Sequence, residues 1–107
     1  MKIDLDTEIN LSDGTPVMIA KDVRMTLGNT ARGSINQLPQ RENGERKPNP
    51  EEIVRRGRLA IRLATGGVQD FDLDDLAFIR KSVQAVVDHP ETLVMVLDAF
   101  DTEVNDA

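Results

Sequence analysis

The chain has 107 residues, with 13 basic and 19 acidic side chains and a formal net charge of −6. That is the length of one small domain, and 39% hydrophobic content allows a core but not a generous one. The absence of cysteine and the single histidine exclude a disulfide framework, a thiolate nucleophile, a cysteine-type zinc site and a multi-histidine metal centre within one chain. Its only aromatic residues are three Phe, so Leu, Ile, Val and Met must fill the interior. No apolar run approaches the ~18 residues that suggest a membrane span, and no secretory leader is expected at its start.

The first element is extended. Ile3, Leu5, Thr7, Ile9 and Leu11 alternate with Asp4, Asp6, Glu8 and Asn10, one face to bury and one to wet. Asp13-Gly14 is a hairpin turn signal, and Pro16 opens a short returning strand through Val17, Met18, Ile19 and Ala20. Residues 2–20 therefore read as a β-hairpin, which needs a surface to lie on. Residues 21–27 form a short connecting element. Residues 28–49 are small, polar and proline-bearing, with Leu38 the only sizeable apolar side chain from Gln37 to Pro50. Such a stretch buries too little to offset its ordering entropy and is expected to be a long mobile loop.

Three helices follow. Asn49-Pro50-Glu51-Glu52 is a helix start, with Asn as the cap and Pro in the first turn. The helix is expected to bury Ile53, Val54, Ala60, Ile61 and Ala64, joined by Leu59 and Leu63, and to end at Gly66-Gly67. Gly57, in its middle, suggests that another backbone approaches closely. Asp72 caps a second helix with a Leu73, Leu76, Ile79, Val83 and Val86 stripe, and Phe71 and Leu76 are placed as a hydrophobic staple. Pro90-Glu91 opens a third, with Leu93, Val96, Leu97 and Phe100 facing inward. Residues 102–107 read as a frayed acidic tail.

Charge is uneven along the chain. Residues 29–64 hold eight basic and four acidic groups, and residues 65–107 hold two and ten. The two regions either attract one another within the monomer or serve association. Asp70-Phe71-Asp72-Leu73-Asp74-Asp75 looks like part of a calcium loop, but the sixth position is Asp75 and the twelfth is Lys81. An acidic helix N-terminus explains these residues. His89 has neither nucleophile nor pocket signalled beside it and reads as a capping or turn residue. No phosphate-loop or dinucleotide pattern occurs, so no cofactor is expected. Arg55, Arg56, Arg58 and Arg62 on one helix, with Arg41, Arg46 and Lys47 before it, suggest phosphate contacts. The pI of about 4.7 and the scarcity of aromatics weigh against them. The acidic C-terminal half also admits mimicry of nucleic acid.

Taken along its length, the chain resembles small open reading frames of tailed bacteriophages and prophages. The likeness rests on Met1-Lys2-Ile3-Asp4-Leu5, a Gly-containing turn before Pro16-Val17, Thr26-Leu27-Gly28 and a polar insert. It continues through Gly57-Arg58-Leu59-Ala60-Ile61-Arg62-Leu63-Ala64 and Leu76-Ala77-Phe78-Ile79-Arg80-Lys81-Ser82-Val83, and Leu93 to Phe100 looks like the closing helix of that group. The insert is longer and richer in proline here. The resemblance implies a viral accessory or assembly context, in the host cytoplasm or with the virion, and carries over no site residue.

The expected fold is α+β, one domain over residues 1–107: an N-terminal β-hairpin packed on a C-terminal bundle of three helices (50–101), with a mobile loop between. The expected function is a non-enzymatic protein-interaction module, without catalytic residues, metal or membrane contact. Phe78, Val94 and Met95 lie off the main stripes and are the expected interface to a protein partner or a second copy. The alternative is a nucleic-acid-associated regulator using Arg55, Arg56, Arg58 and Arg62, or an acidic inhibitor of a host nucleic-acid-binding protein.

Overall fold

Ile3, Leu5 and Ile9 keep the alternation seen in the sequence, and all three are buried. They form one edge of the core in the computed structural model, which describes residues 1–37 and 49–104. The element order is β1 (Lys2–Asp4), β2 (Met18–Ala20), β3 (Val23–Arg24), α1 (Leu27–Asn36), α2 (Pro50–Thr65), β4 (Val68–Asp70), α3 (Leu73–Val86) and α4 (Pro90–Asp101). The chain is α+β, with two small antiparallel sheets and a hairpin at the N-terminal end and helices towards the C-terminus.

The opening strand does not run unbroken into the hairpin. Asp4 stops it: its carboxylate accepts from the Asp6 amide at 3.0 Å and its carbonyl from the Thr7 hydroxyl at 2.8 Å. Such side-chain turns compete with a ladder. β1 therefore pairs with β4, Lys2 opposite Asp70, rather than with the returning arm. Beyond the bend the expected turn closes, with Leu11 N donating to Thr15 O at 2.8 Å and Val17 N to Ile9 O at 3.1 Å. Gly14 sits there at φ 88°, which glycine adopts without strain. β2 and β3 then make a second, shorter hairpin.

The largest departure from expectation is α1. Residues 28–36 were expected to be loop, yet they form a helix that packs against both α2 and α3 and reaches α4. Leu27, Ala31 and Ile35, four residues apart, are fully buried, and Thr26 and Asn29 close a capping box. Small residues explain both the misreading and the packing. A Cβ on Gly28 would lie 3.0 Å from Leu5 O and 3.3 Å from Leu63 O, so only glycine lets the helix start come this close to its neighbours. Residues 38–48 of the expected loop lie outside the described residues.

The other helices start where the sequence places them. Asn49 accepts from Glu51 N, Asp72 from Asp75 N and His89 from Thr92 N. Phe71 and Leu76 are both buried, as a staple requires. Two faces differ from expectation. α2 buries Arg56, Leu59, Ala60 and Leu63, leaving Ile53, Val54, Ile61 and Ala64 outside. On α3, Leu73 is 76% exposed, while Leu76, Ile79 and Val83 are buried. The start of the expected tail is tied down, since Val104 N donates to Lys2 O at 2.9 Å. Residues 105–107 lie outside the described residues.

Candidate interface on the second helix

α2 carries three different faces. Its inward face follows the spacing i, i+3, i+4, i+7 through Arg56, Leu59, Ala60 and Leu63. An arginine at a core position must satisfy its donors, and this one does. Arg56 Nη1 donates to Ile35 O at 3.2 Å, to Gln37 O at 3.5 Å and to Ser82 Oγ at 3.4 Å. Its Nε and Nη2 meet Glu52 Oε1 at 3.4 and 3.3 Å. The guanidinium thus fastens the C-terminal end of α1 to α2 and α3, where helix carbonyls lack partners.

The second face is basic. Arg55, Arg58 and Arg62 line a shallow groove of about 390 Å³ with Val54 and Leu59 between them and Asp75 across it. Asp75 Oδ1 receives Arg55 Nη2 at 3.1 Å, and Oδ2 lies 4.0 Å from Arg62 Nη1. Arg62 also donates to Asp70 O at 2.9 Å and stacks over Phe71, 4.3 Å from the ring centroid. Arg58 is exposed and makes no side-chain hydrogen bond or ion pair among the described residues. Three of the four arginines expected to meet phosphate are therefore held by groups of this chain.

Phe78 lies half-buried against the core, with Arg55 Cζ and Arg56 Cζ 4.4 and 4.8 Å from its ring centroid. The structure thus joins Phe78 to two of the arginines rather than leaving it open. Met95 is half-buried against the core, and Val94 is 54% exposed on α4.

The acidic residues before and within α3 have separate tasks. Asp72 caps, Asp75 holds arginines, and Asp70 pairs with the Met1 ammonium at 2.7 Å. That ammonium, as hydrogen-bond donor and as charge, holds the Asp70 carboxyl below the ordinary carboxylate range. His89 Nδ1 lies 2.9 Å from Thr92 Oγ1 at the start of α4. Among the described residues no group of three or more His, Cys, Asp or Glu is placed to hold a metal ion. No helix among them is long and apolar enough to cross a membrane.

The third face of α2 is apolar and open. At 3.6 residues per turn, Pro50, Ile53, Val54, Gly57, Ile61 and Ala64 fall within an arc of about 100° that holds no charge. Ile53, Val54 and Ile61 are 45%, 53% and 72% exposed. A Cβ built on Gly57 meets nothing within 4 Å, so the close approach expected there is not made within the described chain. The sequence did signal this face, since its apolar pattern is what pointed inward in the expectation above. It could not say that a neighbouring arc, with Arg56 in it, would take the core.

No protein-family model, curated protein or solved structure matches this chain.

Proposed function

We propose that this protein is a non-enzymatic protein-interaction module that docks through the outer face of α2. The observation that carries the reading is the arc of α2 from Pro50 to Ala64, which holds no charged side chain and leaves Ile53, Val54 and Ile61 exposed. Helices in water keep polar side chains outward, and contiguous exposed apolar surface marks a partner site. The side chains best suited to chemistry have structural employment instead: His89 and Asp72 cap helices, and Asp75 holds arginines. The likeness to phage open reading frames supplies an accessory or assembly setting in the bacterial cytoplasm or the virion. The nucleic-acid alternative draws less support, because Arg55, Arg56 and Arg62 are engaged within the chain.

A photoreactive benzophenone side chain introduced at position 61 tests the reading in cells. The expected result is a protein adduct from position 61 and none from an exposed position on α1 such as 32. Equal labelling from both positions, or none from position 61, contradicts it.

A further inference from the structure

We infer that the occupant of this face is a second copy of the same chain, its α2 packed antiparallel about a two-fold axis at Gly57. The inference rests on the interaction-module reading and adds the identity of the partner. Gly57 stands midway between Ile53 and Ile61, four residues from each, and midway between Pro50 and Ala64, seven from each. Antiparallel packing about Gly57 therefore sets Ile53 of one copy beside Ile61 of the other, twice. A two-fold contact requires such self-complementarity, the same patch serving on both sides.

Gly57 itself then has a reason to be there. Glycine weakens a helix interior relative to alanine, and no described residue of the chain comes near its missing Cβ. Close approach of a second helix at the crossing point is what a glycine permits. Charge agrees with the direction. Glu51 in the first turn, and Arg58 and Arg62 further on, flank the same side of the apolar arc. Antiparallel pairing about a two-fold brings these same flanks together and places each Glu51 beside the basic half of the other copy's helix, next to Arg62.

Among the described residues, none lies within 4 Å of a Cβ built on Gly57, and Ile53, Val54 and Ile61 stay exposed. Residues 38–48 contain Leu38 and two prolines but no other sizeable apolar side chain. A helix of 16 residues is about 24 Å long. One such pair is a small interface, so a dimer dissociating in the micromolar range is expected rather than a permanent one.

Sedimentation equilibrium of the purified full chain, from low micromolar to near-millimolar concentration, tests the inference. The expected result is a monomer–dimer equilibrium that Ile61→Glu weakens by about tenfold or more. Ile53→Lys should do the same, and Val94→Glu, an equally exposed change on α4, should not. Circular dichroism confirms that each variant is folded, which the exposure of these positions favours. A wild-type chain that stays monomeric throughout, or a dimer indifferent to both isoleucine changes, overturns the inference. If the chain is monomeric while position 61 still crosslinks to a different protein, self-association fails and the interaction-module reading stands. If neither association nor crosslink occurs, both fail.

Discussion

Arg56 occupies a position where the spacing of α2 asks for an aliphatic side chain, and it is only 9% exposed. Burying a charge is costly unless its donors are met. Here carbonyls at the end of α1, a serine on α3 and a glutamate one turn earlier meet them. The residue therefore acts as a strap among three helices rather than as a surface cation. Arg56→Met removes the donors and leaves buried acceptors unpaired, and is expected to cost about 2–4 kcal/mol in urea unfolding. Arg58→Met, two residues further on, on an exposed face and free of such bonds among the described residues, is expected to stay within about 0.5 kcal/mol. Equal stability of the two variants would mean that the strap contributes nothing net.

At the scale of elements, α1 is the piece on which the others converge, and its glycines separate into two kinds. The Gly28 site is closed by backbone on two sides, so Gly28→Ala is expected to destabilise by about 1–3 kcal/mol. Gly33 faces open space, so Gly33→Ala is expected to stabilise by about 0.5–1 kcal/mol through helix propensity alone. Thermal or urea unfolding of the two variants checks both signs, and a neutral Gly28→Ala would show that the start of α1 can shift away from Leu5.

The same contrast explains what the sequence made legible. Asn49, Asp72 and His89 announce three helices because capping is a local bond between near neighbours. Ile3, Leu5 and Ile9 announce burial because a strand alternates. α1 is written in Gly, Thr, Ala and Ser, whose burial depends on what lies beside them and not on their own hydrophobicity. The Thr26–Asn29 box and the Leu27, Ala31, Ile35 spacing were the available signals, and they were outweighed by a composition that reads as loop. The pairing of β1 with β4 spans most of the chain, and no local pattern encodes it. On α2, hydrophobicity alone ranked the Ile53–Ile61 face above the one holding Arg56. Only the bonds that Arg56 makes reverse that order.

Across the whole molecule, the uneven charge noted in the sequence is partly resolved within the monomer. Basic α2 faces acidic α3 through Arg55 and Arg62 on Asp75, and α3 reaches α4 through Arg80 and Asp101. These pairs are largely exposed and contribute modestly to stability, but they occupy the arginines that would otherwise meet phosphate. The large apolar side chains left exposed are Ile53, Val54 and Ile61 on α2, Met18, Ile19 and Val23 on the β2–β3 hairpin, and Val68, Leu73 and Val94 singly on β4, α3 and α4, among the described residues. The first group is the proposed interface between copies, and the others stay in solvent.

That assignment can be read directly from isoleucine methyl signals in the presence of a soluble paramagnetic agent. At dilute concentration Ile19, Ile53 and Ile61, all exposed in the monomer, should relax strongly, while buried Ile3 and Ile79 should not. As concentration rises, the account predicts that Ile53 and Ile61 become protected while Ile19 stays accessible. Ile53 and Ile61 remaining as accessible as Ile19 at every concentration would contradict it.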